Sequence, residues 1–237
     1  MWKGVCALGQ HCHRYIYRNI MKKNESAEVC RESTFDTVFN FLLAILVRVL
    51  LHPEPHFMDR QQEEGLLPEP CIVISNHTGH LDGGVLNTVF YKSQLHTLAA
   101  KDRFEQKGFG FILRHTRCIP IDRNHPDTSW VHKSISVLRE ERKSVAIYPE
   151  GRHGTHRHLL PFHSGVVTLA ALAQVPVVLV YMDGPFKLFH TSKLIVSPIR
   201  RIEIPEDGLT ADNVNAITKQ LEHDEEDLMN RFCEISK

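Results

Sequence analysis

Short apolar runs alternate with amphipathic stretches through most of the chain, from about residue 71 to residue 235. The apolar runs predict strands at 71–75, 95–100, 117–121, 144–148 and 175–182. The stretches between them predict helices at 82–91, 104–114, 128–142 and 164–173. A strand-rich run at 193–204 and a closing helix at 210–235 complete the pattern. Because strands and helices alternate, we predict an α/β fold, a largely parallel sheet flanked by helices.

The most apolar helical segment, residues 35–51, lies before this pattern. Its longest uncharged run is 37–47, eleven residues, which is shorter than the roughly 20 that span a bilayer. Because Asp36 and Arg48 lie only at its ends, we favour a helix in the membrane interface over a buried core helix. Residues 52–70 hold four prolines among charges, which is typical of a linker. We therefore predict a helical, membrane-associating segment with linker over 1–60 and the main domain over 61–237.

Composition adds a few constraints. The 237 residues are 42% hydrophobic and 24% charged with no net charge, so we expect a globular protein and no nucleic-acid partner. Residues 1–23 carry five basic side chains and no acidic one, which suits either an anionic membrane surface or a solvated helix. The six cysteines include no Cys-x-x-Cys pair, and the N-terminus lacks an apolar signal core. We therefore expect a reducing compartment and no secretion.

Charged or titratable side chains follow four consecutive predicted strands. The carboxyl ends of parallel strands meet at one edge of a sheet, where α/β proteins place their binding crevices. We therefore expect the four groups to face a single crevice. In chain order they are Asn76-His77, Lys101-Asp102-Arg103, Asp122-Arg123 and Glu150-Gly151-Arg152.

His77 and Asp82 are the candidate catalytic pair. His77 directly follows a strand, and Asp82 falls where the next helix should begin. Asp82 could simply cap that helix. It could instead fix the tautomer of His77, whose second nitrogen would then take a proton from a hydroxyl. The chain has no G-x-S-x-G nucleophile motif. We therefore predict that the hydroxyl belongs to the substrate and that transfer is direct.

Three cations at three strand ends, Lys101, Arg123 and Arg152, would together bind a phosphate or carboxylate. Three unrelated surface charges are the alternative. Gly151 would let the backbone approach a ligand closely, and Glu150 could orient a neighbouring cation. Four histidines between residues 153 and 163 match no standard zinc spacing, so we expect no metal.

Four ordered segments resemble the motif blocks of the glycerophospholipid acyltransferase family. Residues 76–82 (NHTGHLD) resemble the N-H-x4-D block, and 119–123 (IPIDR) resemble the second block. Residues 148–151 (YPEG) resemble the third block, and 175–180 (VPVVLV) resemble the proline-containing fourth. Lys101 matches the family lysine after the second strand. The order and spacing agree from about residue 71 to residue 182.

The resemblance implies specific roles. His77 is the general base and Asp82 orients it, so that a lysophospholipid hydroxyl attacks an acyl thioester. The donor is acyl-CoA or acyl-carrier protein, used as a co-substrate without any cofactor. Arg123 and Lys101 bind the phosphate of the acceptor. The resemblance also implies an O-acyltransferase on the cytoplasmic face of a membrane, with 1-acylglycerol-3-phosphate as acceptor and phosphatidic acid as product.

The third block departs from the family. Where the family has Thr-Arg-Ser after its Glu-Gly pair, residues 152–154 are Arg-His-Gly, so the arginine comes one position early. Arg152 joins Glu150 and Gly151 as a candidate for substrate binding, but another lyso-lipid acceptor stays open. So does a lipid hydrolase or transacylase that uses the same His–Asp pair. A non-catalytic lipid-binding protein is disfavoured, because binding alone requires no paired base.

Overall fold

The computed structural model describes residues 33–122, 128–155, 157–206 and 208–235, with the backbone alone at residues 63 and 64. Seven strands occur in these ranges: β1 Pro53–Phe57, β2 Ile72–Ser75, β3 His96–Ala100, β4 Cys118–Ile121, β5 Val145–Ile147, β6 Val177–Met182 and β7 Ser192–Val196. The α-helices are α1 Thr34–Leu51, α2 Asp82–Val89, α3 Phe109–His115, α4 Ser129–Arg139, α5 Gly165–Ala173 and α6 Ala211–Ile235. Short 3₁₀ helices span Arg60–Gly65, Tyr91–Ser93 and Lys101–Glu105.

One mixed sheet organises the chain, with the strand order β1-β7-β6-β2-β5-β3-β4. Every neighbouring pair from β6 to β4 is parallel, whereas β7 is antiparallel to β6 and parallel to β1. The predicted α/β fold with a largely parallel sheet is therefore confirmed. The ends of β2, β5, β3 and β4 lie side by side, so the polar clusters that follow the first three, together with Asp122 after β4, share one edge.

The sheet has a hydrophobic core on each face because successive strand residues point to opposite sides. In β2, Ile72 and Ile74 join the core that α4, α5 and α6 cover. Val73, between them, joins the core that α2 and the end of α1 cover. All four residues of β2 are buried, as expected for a central strand covered on both faces.

The linker predicted over residues 52–70 is wrong for five of its residues. Pro53–Phe57 form β1, which pairs in register with Ser192–Val196. Proline lacks an N–H group and is normally confined to edge strands, which is where β1 lies. The prolines made this strand resemble a linker in the sequence. The predicted domain boundary at residue 60 stays a prediction.

The structure also divides the helix predicted at 104–114. Lys101–Glu105 form a 3₁₀ helix, and α3 begins only at Phe109. Gly108 lies between them with a φ of +77° and precedes the first residue of α3.

Helix α1 is apolar around nearly its whole circumference. Its eighteen residues have a mean hydropathy of 1.9, and by length and composition it is the one described helix that could cross a membrane. Only Leu51 is buried. At its start, Ser33 and Asp36 form a capping box, and Asp36 also contacts Nδ1 of His115 at 2.8 Å. The N-terminal end of α1 is thereby fastened to α3.

A pair of glycine substitutions tests the packing of the 3₁₀ helix Arg60–Gly65 against α2. Gly65 and Gly108 both have positive φ, but only at Gly65 would a Cβ atom overlap a backbone atom, the Val89 carbonyl oxygen at 1.7 Å. We expect Gly108→Ala to lower the free energy of unfolding by about 1–2 kcal/mol. Gly65→Ala should cost roughly 1–3 kcal/mol more, because α2 must move. Urea denaturation measures both, and equal losses would contradict the packing.

Candidate functional site

A cavity of 690 Å³ is lined by residues of α1, α2 and α3 and also reaches Trp130 of α4 and Val166 of α5. Much of its wall is apolar and comes from helices α1, α2 and α3 and from strand β3. The histidines and arginines that line it are His77, His80, Arg103, Arg117, Arg152, His153 and His163. An apolar cavity with a few polar groups is typical of a small-molecule site.

His77 and Asp82 form a hydrogen-bonded pair in this site. Nδ1 of His77 lies 2.9 Å from Oδ2 of Asp82, and the side chains are 20% and 0% exposed, respectively. A carboxylate can only accept, so an ionised Asp82 places the imidazole proton on Nδ1. Nε2 is then the nitrogen that can remove a proton from a hydroxyl.

The alternative role for Asp82, as the cap of its own helix, does not match the geometry. The residue before α2 is Leu81, and no side chain caps the helix there. The Asp82 carboxylate instead turns back toward the β2–α2 loop, where its Oδ2 atom accepts from the backbone N–H groups of Thr78 at 2.5 Å and Gly79 at 2.8 Å. The same carboxylate therefore folds the loop and orients His77.

The preceding two amides of this loop also donate to carboxyl groups. The N–H of Asn76 donates to Oε1 of Glu225 at 3.3 Å, and the N–H of His77 donates to Oε1 of Glu150 at 3.1 Å. The Asn76 side chain is fixed as well, because it exchanges two hydrogen bonds with the backbone of Met182. The loop that carries His77 is therefore anchored at every residue from 76 to 79.

Glu150 contacts the backbone of His77 and is not among the described residues that line the cavity. Its side chain is 3% exposed, and Oε2 accepts from the N–H of Leu160 at 3.2 Å. Burial raises the pKa of Glu150, while its two backbone hydrogen bonds oppose the rise. Both oxygens of Glu150 are thus occupied by backbone donors. Its predicted part in shaping the acceptor site stays a prediction.

Two aromatic rings that the sequence did not indicate pack on His77. Tyr148 stacks on the imidazole with ring centroids 4.3 Å apart, and His153 meets it edge-on at 4.3 Å. His153 also lies 4.7 Å from His80. Burial and the neighbouring His77 and His80 lower the pKa of His153. Burial and the nearby Asp82 raise the pKa of Tyr148 well above its ordinary value, so the phenol stays neutral.

Of the three predicted phosphate-binding cations, Lys101, Arg123 and Arg152, the structure places Arg152 at the cavity. Arg152 and Gly151 line the cavity, and Gly151 has a φ of +66°. Lys101 is 63% exposed, and its Nζ lies 3.7 Å from Oδ2 of Asp122. Lys101 is not among the described residues that line the cavity, whereas Arg103, from the same strand end, is. Arg123 lies outside the described residues, so its role stays a prediction.

No group of three or more His, Cys, Asp or Glu side chains suited to holding a metal ion occurs within the described ranges. His156, one of the four clustered histidines, lies outside them.

Comparison with known proteins places this geometry in context. The 1-acyl-sn-glycerol-3-phosphate acyltransferase of Bacillus subtilis is 29% identical over 126 residues, which cover 52% of this chain and 62% of the relative. The human 1-acyl-sn-glycerol-3-phosphate acyltransferase beta is 31% identical over 156 residues, which cover 62% of this chain and 55% of the relative. The matched regions thus span less than two thirds of each relative.

The fold also matches a solved structure. The crystal structure of the 1-acyl-sn-glycerophosphate acyltransferase PlsC from Thermotoga maritima superposes with a TM-score of 0.54 at 15% identity, covering 94% of this chain and 82% of that one. The resemblance read from the motif blocks is confirmed. The model of the family described as Acyltransferase matches residues 57–183, more than half of the chain, and the protein therefore belongs to the acyltransferase family.

Proposed function

We propose that this protein transfers a fatty acyl chain from an acyl thioester to the hydroxyl of a lysophospholipid. The acceptor we favour is 1-acylglycerol-3-phosphate, which gives phosphatidic acid. The observation that carries the proposal is the His77–Asp82 pair, 2.9 Å apart, in which His77 lines a large, mainly apolar cavity and Asp82 is buried behind it. The names of the relatives support the acceptor.

The reaction requires one group that removes a proton from the acceptor hydroxyl and later gives it to the leaving thiolate. Nε2 of His77 takes the proton from the acceptor hydroxyl as its oxygen attacks the thioester carbonyl. Asp82 stabilises the imidazolium that forms. When the tetrahedral intermediate collapses, the C–S bond breaks and the leaving thiolate takes the proton from His77. The products are the ester and a free thiol, and no cofactor takes part.

The apolar part of the cavity suits the acyl chain of the donor. Leu43, Ala44 and Val47 on α1 form one wall, and Gly83 and Asn87 on α2 contribute another. Acyl-CoA and acyl-carrier protein carry the same thioester, and the cavity does not favour one over the other. In this binding mode the acyl chain of the donor contacts apolar side chains, and its carbonyl end lies at His77.

The cationic part of the cavity suits a negatively charged acceptor head group. Arg103 and Arg152 are positioned there to bind a phosphate, with Lys101 and Arg123 as further candidates. Gly151 offers a close backbone approach. Glu150 acts on acceptor binding only indirectly, because its hydrogen bond to the His77 N–H helps to position the base.

Helix α1 is proposed to lie in a membrane at its cytoplasmic face. Its exposed face includes Phe41, Leu42, Ile45, Leu46 and Val49, each about half exposed. Such a continuous apolar surface on a helix is unfavourable in water and favourable in lipid. The basic N-terminal stretch, residues 1–23, lies outside the described residues.

Substituting the catalytic pair tests the mechanism. We expect His77→Ala to lower kcat/KM for acyl transfer by about 10²–10⁴-fold, the usual contribution of a general base. Asp82→Asn should also be strongly impaired, because an amide cannot stabilise the imidazolium. His190→Ala, an exposed histidine outside the cavity, is the matched control. Product ester and free fatty acid are measured together by mass spectrometry. Near-normal ester formation by His77→Ala would refute the mechanism, and fatty acid as the main wild-type product would indicate a hydrolase.

Filling the cavity from α1 tests where the acyl chain binds. Ala44 lines the cavity, whereas its neighbour Ile45 is exposed on the other side of the helix. We expect Ala44→Phe to shift the preference toward shorter chains in a series of acyl-CoA donors, because the added ring occupies cavity volume. Ile45→Phe should leave the preference unchanged. The ratio of kcat/KM values across the series is the measurement, and the same profile for both variants would argue against this binding mode.

Charging the exposed face of α1 tests the contact with lipid. Leu42→Lys combined with Leu46→Lys should move the protein from the pellet to the supernatant when it is centrifuged with neutral phosphatidylcholine vesicles. Activity in detergent micelles should stay within about threefold of wild type, because neither side chain lines the cavity. Asn215→Lys with Asn230→Lys, on the exposed face of α6, controls for added charge. Unchanged sedimentation of the α1 variant would contradict the proposed membrane contact.

A further inference from the structure

We propose that Glu225, on the C-terminal helix α6, is a positioning residue that holds the catalytic loop in place through the backbone of Asn76. The inference deepens the proposed function and rests on it for the role of His77. Helix α6 lies outside residues 57–183, the part that matches the family model.

The first reason is where Glu225 lies on its helix. Leu221, Leu228 and Phe232 are buried and pack on the core beneath the sheet, and Glu225 falls on the same stripe at helical spacing. Its side chain is 0% exposed. A carboxyl group in such a stripe costs free energy unless its oxygens accept hydrogen bonds. A leucine would pack there more favourably, so the acid calls for a reason beyond core packing.

The second reason is what Glu225 contacts. Oε1 accepts the N–H of Asn76, the residue directly before His77, although 149 positions separate the two in sequence. Oε2 has no hydrogen-bond partner among the described residues. The contact to the loop is therefore the polar interaction that the structure describes for this side chain.

The protonation state of Glu225 is consistent with this role. Burial, aided by the nearby carboxyl of Glu150, raises the pKa of Glu225 well above its ordinary value, and the hydrogen bond from Asn76 and the charge of Arg200 only partly oppose the rise. The raised pKa favours the neutral form of Glu225. A neutral carboxyl can accept from Asn76 without adding a second buried negative charge near Glu150.

The same helix also contacts the β5–α5 loop, which contributes Gly151 and Arg152 to the cavity lining. Oε1 of Glu222, one turn before Glu225, accepts the N–H of Phe162 at 2.5 Å. The next residue, His163, donates its N–H to the carbonyl of Pro149 at 2.8 Å. One turn of α6 thus fastens the β2–α2 loop with His77 and the β5–α5 loop with Gly151 and Arg152. Helix α6 therefore helps to set the distance between His77, the proposed base, and Arg152, which is proposed to bind the acceptor.

Three substitutions separate positioning from core packing. Glu225→Gln keeps the shape and an oxygen that accepts from Asn76, and it carries no charge. Glu225→Leu fills the same space but accepts nothing. Glu226→Leu, at the next position, is exposed and serves as the matched control for adding a leucine to this turn.

Kinetics and stability are then compared for the three full-length variants. For acyl transfer, Glu225→Leu should lower kcat by at least about tenfold with KM values within about twofold, because the base moves while the binding walls stay. Its unfolding temperature should change by no more than a few degrees, since the apolar side chain gained in the core offsets the buried Asn76 N–H that loses its acceptor. Glu225→Gln and Glu226→Leu should stay within about threefold of wild type. Wild-type kcat in Glu225→Leu would overturn the proposal, and so would a loss of kcat that is explained by global unfolding at the assay temperature.

Hydrogen exchange tests the positioning even if the proposed reaction is wrong. In Glu225→Leu, exchange should accelerate by at least about tenfold at the amides of Asn76 and His77, and remain unchanged in β6 and in Glu225→Gln. Unchanged exchange at Asn76, or acceleration throughout the domain, would refute a local role for Glu225. If no lysophospholipid is acylated by the wild-type protein while the exchange pattern holds, the proposed function fails and the positioning role stands.

Discussion

Four consecutive backbone N–H groups, from Asn76 to Gly79, donate to the carboxyl groups of three acidic side chains, and the geometry of the site depends on this. Glu225 accepts from the first, Glu150 from the second, and Asp82 from the last two. The three acids come from three different parts of the chain. Because buried amides need partners, the loop has little freedom to take another shape once the acids are in place.

This arrangement also restricts the chemistry. The loop amides are already occupied, so in the proposed reaction they do not supply donors to the negative charge on the thioester oxygen. Under that proposal the charge is stabilised by other groups, and Arg103 and Arg152 are two cations that line the cavity. The stacked Tyr148 and the edge of His153 limit the movement of the His77 ring. In the proposed mechanism the loop therefore orients Nε2 of His77, and the cavity walls bind the substrates.

Much of the fold could be predicted from the sequence because its strands are short, continuous apolar runs. The strands from β2 to β6 lie within the predicted runs, and the helices between them match within a few residues, apart from the one that Gly108 divides. The first strand was missed because its two prolines resemble a linker. Tertiary pairing with Ser192–Val196 decides its conformation, and no local pattern carries that information.

The site was predictable only where its parts are close in sequence. His77 and Asp82 are five residues apart, and their pairing follows from a strand end that meets a helix start. The role of Glu150 could not be assigned, because a carboxyl near a binding loop can face the ligand or the backbone. Glu225 gave no signal at all. It lies in a helix whose acidic stretch is otherwise solvated, and only the packing of α6 against the sheet brings it beneath the loop.

Direct transfer from thioester to acceptor, with His77 as the base and no covalent enzyme intermediate, is most directly tested without the acceptor. The protein is incubated with radiolabelled acyl-CoA alone, quenched in acid, and examined for acylated protein and for released CoA. Direct transfer predicts no labelled protein and no burst of CoA, with CoA release beginning only when lysophospholipid is added. A stoichiometric burst of CoA with label retained on the protein would contradict it.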